Sequence, residues 1–144
     1  MISNTVVTGS TADAGGLYAF GLQSLHLISS GFKNNRANLN TGRGGEIYLN
    51  GCVEVNISDC FLSAPGIPAN TSPELAYFTG CKTVLLSKTE LRDNNSGRGL
   101  YFTGATGVLE MEDCQVAGNF TEGITINSGE ARLSHVMLSG NGDS

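Results

Sequence analysis

The chain has no tryptophan, only 3 prolines and only 8 basic residues against 13 acidic ones, and no apolar run in it is long. Each shortage excludes something. No stretch approaches the roughly 18 apolar residues of a membrane-spanning helix. Three prolines do not make a Pro-rich linker. A net charge of -5 leaves no basic patch to collect phosphates, so nucleic acid is not an expected partner. Charged residues are only 15%, too few for a solvated acidic tail. The N-terminus shows no basic segment followed by an apolar stretch, so no signal peptide is visible. P-loop, GxSxG, HExxH and CxxC patterns are all missing. His26 and His135 are the only histidines, so a zinc site lacks ligands, and Asp93-Asn94-Asn95 lacks calcium-loop spacing. No cofactor or metal is expected.

What is present is Gly, Ser, Thr and Asn, which together make 59 of 144 residues. These are weak helix formers, and the apolar residues between them alternate in short runs, the period of strands. The runs repeat. Ile2-Ser3-Asn4-Thr5-Val6-Val7, Leu27-Ile28-Ser29-Ser30-Gly31-Phe32, Ile57-Ser58-Asp59-Cys60-Phe61-Leu62, Leu86-Ser87-Lys88-Thr89-Glu90-Leu91, Met111-Glu112-Asp113-Cys114-Gln115-Val116 and Leu133-Ser134-His135-Val136-Met137-Leu138 align. Each has an apolar first and sixth position and a Ser, Thr, Cys or Val fourth. Three residues further on stand Ser10, Asn35, Pro65, Asn94, Asn119 and Asn141. A second strand per copy holds every tyrosine in one column: Tyr18, Tyr48, Tyr77 and Tyr101. A third strand, such as Leu25-His26-Leu27 or Val55-Asn56-Ile57, leads into the next copy.

This pattern predicts an all-β fold, a right-handed parallel β-helix of five to six rungs with three short strands per rung. One rung cannot bury its apolar face, but stacked rungs pair each strand with its equivalent above and below. The right hand follows from the strong preference of parallel crossovers. The columns starting at Leu17 and Ala19 should point inward and the tyrosines outward. Asn35, Asn94, Asn119 and Asn141 should form a ladder at a corner, their amides bonded to one another.

Phe32-Lys33-Asn34-Asn35 followed by Gly44-Gly45-Glu46-Ile47 resembles the FxxN and GGA(I/L/V) pair of polymorphic outer-membrane protein repeats. The architecture is similar to the wider pectate-lyase-like class. The resemblance implies a surface-displayed adhesin or autotransporter passenger, extracellular or at the cell surface. It also raises a polysaccharide lyase or glycoside hydrolase as the enzymatic alternative. The Asp-Asp pair and Gly-His-Gly of polygalacturonases are missing.

Asp59 and Asp113, two rungs apart with Lys88 between and Ser29 and His135 at the ends, form the best catalytic candidate. A solvated mixed-charge face is the competing reading. Cys52 and Cys81 share a column, as do Cys60 and Cys114. They read first as small apolar residues. A Cys52–Cys81 disulfide lies within reach of adjacent rungs, whereas Cys60 and Cys114 are too far apart. The Tyr column stabilises the sheet through same-face pairs or offers a surface to glycan or protein. A Thr/Asn array of Asn50, Thr79, Thr103 and Asn127 flanks it. Two long loops, 36–44 and 66–74, bring Arg36 and Arg43 near Pro68 and Pro73 as a possible binding patch. Of three glycosylation sequons, only that at Asn70 lies on a convincing loop.

Residues 1–144 thus read as a single segment of a longer, uncapped solenoid, structural or adhesive in function. The alternatives are the scaffold of a polysaccharide-active enzyme or a filament subunit stacking end to end. Flanking rungs or self-association are the expected neighbours of its open edges. An isolated 1–144 chain is therefore expected to self-associate, a result that sizing across a concentration series reads directly.

Overall fold

A computed structural model of the chain describes residues 1–12, 15–37, 43–66 and 74–142. It is all-β, a parallel solenoid of about five turns. No helix among the described residues is long and apolar enough to cross a membrane.

Three strand stacks build the rod. The first face holds Val6–Thr8, Gly31–Lys33, Phe61–Ser63, Glu90–Arg92, Gln115–Ala117 and Met137–Ser139. The second holds Leu17–Phe20, Ile47–Asn50, Glu74–Thr79 and the starts of Arg98–Glu112 and Ile124–Ser134. The third holds Ile2–Ser3, Ser24–Ile28, Glu54–Ser58, Thr83–Ser87 and the ends of those same two long strands. Thr11–Ala12 and Arg36–Ala37 add one short extra pair. Every pairing is parallel, and the registers are those of the sequence repeat: Leu27 faces Ile57, Leu62 faces Leu91, and Tyr48 faces Tyr77. One expected column shifts. Thr103 pairs with Ser128 rather than Asn127, because a bulge interrupts the register there.

Inward side chains fill the rod in layers. Phe32, Leu62, Leu91 and Val116 come from the first face, Leu49, Phe78 and Phe102 from the second, and Val55, Val84 and Leu109 from the third; all are buried. The last turn opens this core, with Leu133 48% and Leu138 55% exposed, and in the first turn Val7 is only partly buried.

The aligned six-residue blocks straddle a corner. Their third position, Asn4, Ser29, Asp59, Lys88, Asp113 and His135, has φ between +47° and +51° throughout. A left-handed residue there reverses the chain without breaking the stack, since each of the first five donates its N–H to a carbonyl of the next turn, such as Ser29 to Ser58 at 3.0 Å. The fourth position then makes a local bond to the carbonyl two residues back. Thr5 Oγ1 donates to Ser3, Ser30 Oγ to Ile28 and Thr89 Oγ1 to Ser87, each at 2.9 Å. Cys60 and Cys114 do the same through Sγ at 3.2 Å. That shared task explains why Ser, Thr and Cys exchange in this column.

The other cysteine pair repeats the device after Gly51 and Gly80. Cys52 Sγ points to the carbonyls of Asn50 and Ala19, and Cys81 Sγ to those of Thr79 and Leu49. All four thiols are buried and free, so no Cys52–Cys81 disulfide is present. Each sulfur is directed to backbone carbonyls instead. Burial raises the Cys81 pKa to about 11.

The Asn column is a ladder, but chiefly to backbone rather than amide to amide. Asn35, Asn119 and Asn141 each donate Nδ2 to a carbonyl of the preceding turn: Val7 at 2.9 Å, Leu91 at 3.3 Å and Val116 at 2.8 Å. Each Oδ1 accepts a preceding N–H, from Ser10 at 2.9 Å, Asn94 at 3.3 Å and Asn119 at 3.1 Å. One amide-to-amide bond seen among the described residues runs from Asn119 to Asn141 at 2.8 Å. Asn35, Asn94 and Asn119 are fully buried, so each lost partner would cost about 1–3 kcal/mol.

Pro65 interrupts this ladder, and its neighbours compensate on both sides. Having no N–H, it offers nothing to Asn94, whose Oδ1 accepts from Ser96 instead and whose Nδ2 turns to the Arg98 carbonyl. Having no amide side chain, it leaves the Asn35 N–H without its usual acceptor. Glu46 takes that place: its carboxylate accepts from the Asn35 backbone at 3.1 Å and from Asn35 Nδ2. Space explains the choice. Three of the four positions equivalent to Glu46 are Gly16, Gly99 and Gly123, where an added Cβ would lie 2.8–2.9 Å from the amide nitrogens of Asn35, Asn119 and Asn141; the fourth is the buried Leu75, in the turn before Asn94, whose amide turns to the Arg98 carbonyl. Where the following turn carries no Asn, that volume is open to a carboxylate.

Glu46 is fully buried, and burial raises its pKa to about 7 against its Asn35 hydrogen bonds. A raised carboxylate pKa means the folded state favours the neutral form. Its contribution is therefore complete below pH 4.5 and declines as pH rises through about 7. Glu46→Gln should flatten that decline, which amounts to about 2–3 kcal/mol. Urea melts of both proteins between pH 5 and 8 measure it, and parallel pH profiles would refute it.

Candidate functional site

Three outer features contain the residues singled out by sequence. The first is the set Asp59, Lys88 and Asp113. Their positive φ places all three on the corner column, so a conformational demand selects them alongside Asn4, Ser29 and His135. Asp and Asn meet it readily because their short polar side chains tolerate the left-handed region. His135 Nδ1 lies 3.4 Å from Asp113 Oδ1, with both side chains exposed. Asp59 and Lys88 rim one surface groove on the first face; Asp113 is not among its lining residues.

The second feature is the Tyr stripe on the second face. The rings pair in sequence along the rod, with centroids 5.1 Å apart for Tyr18–Tyr48, 5.2 Å for Tyr48–Tyr77 and 5.1 Å for Tyr77–Tyr101. Tyr77 and Tyr101 are parallel within 3°, so each covers a face of the other. Tyr48 meets Tyr77 edge to face. Such pairs each contribute about 0.5–1.5 kcal/mol beyond burial. Tyr18 is the most open, at 54% exposure.

Charge brackets the stripe. The Arg43 guanidinium sits 5.2 Å from the Tyr77 centroid and that of Arg98 5.4 Å from Tyr101. Between them lies Glu74, with a fully buried side chain. Arg98 Nη1 donates to its Oε1 at 3.3 Å, and Arg43 Nη1 lies 3.7 Å from the same oxygen. Arg98 Nε also reaches Glu122 at 3.0 Å. Glu74 Oε2 is buried without a hydrogen-bond partner among the described residues. Burial raises the Glu74 pKa, opposed by Arg43, the Gly44 amide and Arg98. Of the two arginines expected to form a patch, Arg43 turns to Tyr77 and Glu74. Pro68, Pro73 and Asn70 lie outside the described residues.

The third feature is the outward column of the third face, where Asn56, Leu85, Glu110 and Arg132 line a groove of about 450 Å³. Arg132 bonds Glu110 and Glu130 at 2.7 Å each. The exposed pair contributes little energy but fixes the groove's edge.

Sequence reasoning passed over Glu74, Arg98 and Glu122 as a set, although the repeat alignment contains the signal. They occupy successive turns of one column with alternating sign, and Glu74 faces Arg98 in register. Phe61 was missed as well. It stands in register with Gly31, and a Cβ on Gly31 would lie 2.2 Å from its ring, so the phenyl lies over the glycine of the preceding turn.

Arg98→Ala should cost about 2–3 kcal/mol at neutral pH, because Glu74 then keeps only the more distant Arg43. The loss should shrink on acidification, as Glu74 takes up its proton and no longer needs a cation. Glu74→Gln should restore part of it. Chemical denaturation of the single and double variants at two pH values checks all three. No family model, curated protein or solved structure matches the chain.

Proposed function

We propose that this chain is a non-catalytic structural and adhesive β-solenoid module that works outside the cell and contacts glycan or protein along an outer face. The observation that carries the reading is the corner column. The best acid–base candidates by sequence, Asp59, Lys88 and Asp113, occupy backbone positions with φ near +50° that also take Asn, Ser and His. One conformational requirement accounts for all six. The buried polar side chains are equally committed, since the Asn ladder and the Ser, Thr and Cys corner positions serve neighbouring backbone. Side chains held this way make a stiff rod with fixed outer columns.

The Tyr stripe fits the structural half of this reading. Stacking on a sugar needs a free ring face, and the Tyr77–Tyr101 geometry covers one face of each ring. The adhesive half falls to the grooves, where charged and apolar groups converge on solvent. The Ser- and Thr-rich composition and the repeat resemblance are consistent with surface display.

Incubated with acidic and neutral polysaccharides, the purified chain should release no new reducing ends or unsaturated products. Turnover that disappears in Asp59→Asn or Asp113→Asn would establish a polysaccharide-active enzyme instead.

A further inference from the structure

On the first face, a groove of about 480 Å³ lies between the corner column and the outward side chains of Gly31–Lys33, Phe61–Ser63 and Glu90–Arg92. Its size falls within the roughly 300–1,000 Å³ of small-molecule sites. Lys33, Lys88 and Arg92 line it, with Asp59, Glu90 and Phe61. Three cations thus meet two carboxylates, in a chain whose 8 Lys and Arg face 13 acids. Lys33 and Lys88 make no ion pair among the described residues, while Arg92 bonds Glu90 through Nε at 3.0 Å.

Phe61 is the second, independent element. Its ring lies over Gly31, where no side chain intervenes, and it is half-buried. Among the described residues no other aromatic ring pairs with Phe61, unlike the mutually covered Tyr77 and Tyr101 rings. An apolar ring face stacks on the C–H face of a pyranose, and a cationic fringe bonds acidic substituents. Lys33 and Arg92 share one column two turns apart, about 10 Å by strand spacing, which places cations on both sides of the ring.

We infer that this groove binds an anionic saccharide, with Phe61 as the stacking platform and Lys33, Lys88 and Arg92 as its acid-binding contacts. This rests on the adhesive reading above and gives it a site and a ligand class.

Isothermal titration of the 1–144 chain tests it with three tetrasaccharides: a sulfated heparin fragment, a hexuronic acid oligomer carrying carboxylates only, and uncharged cellotetraose. At least one anionic probe should bind, with the sulfated and carboxylated arms separating the two sources of charge. Binding should weaken with added salt, and roughly tenfold in Lys88→Ala and in Arg92→Ala, each losing one charge-assisted contact. Phe61→Leu should weaken it too, and Lys33→Ala should lose affinity while melting like the wild type, since that position is exposed. The proposal is overturned if neither anionic probe binds, if cellotetraose binds as well as they do, or if the variants bind like the parent. Failure of all three probes, with retention of the chain on other glycans or cell surfaces, would remove this site and leave the adhesive reading intact. Polysaccharide turnover would do the reverse.

Discussion

The rod depends on one constraint: each strand's backbone N–H and C=O groups find partners only in the strands one turn above and below. An unpaired buried peptide group costs too much to tolerate, so successive turns must keep the same path even where their lengths differ. In-register pairing then forces like positions into columns, and each column meets one local demand repeatedly. The corner column supplies a left-handed residue in six turns with five residue types, Asn, Ser, Asp, Lys and His. The next column supplies a small donor to the carbonyl two residues back, and oxygen or sulfur serves equally.

Exceptions to the columns show how tightly neighbouring turns are coupled. Pro65 removes both an N–H and a side-chain amide from the ladder, and Asn94, Ser96 and Glu46 rearrange around it. Glycine at three of the four equivalents of Glu46 is a matter of volume: each stands beside an Asn amide of the following turn. Glu46 departs from glycine where that amide is missing. The result is a carboxylate buried inside an otherwise neutral ladder, and the stability of this part of the rod becomes sensitive to pH near neutrality.

Much of this was legible in the repeat. Strand positions, inward columns, the Tyr stack and the Asn corner all follow from aligning six copies, because in-register stacking converts sequence period directly into contact. The ladder's actual partners were not legible, since that Asn119 bonds both the Asn94 N–H and the Leu91 carbonyl depends on side-chain geometry rather than period. Alignment shows that Asp59, Lys88 and Asp113 stack, but not that all three have positive φ. Phe61 and the Glu74–Arg98 pair were hidden for another reason. Each gains its meaning from an unlike neighbour in the column, glycine in one case and opposite charge in the other, whereas a search for repeats looks for likeness.

The ladder also has a direction. Three of the four ladder Asn reach back to cap the turn made before them: Asn35 for Ser10, Asn119 for Asn94 and Asn141 for Asn119. A chain emerging from the ribosome N-terminus first meets these needs in the order in which they arise. Every new turn seals its predecessor, so the rod can be completed during synthesis without waiting for a distant segment, and the growing edge stays confined to the turn most recently made.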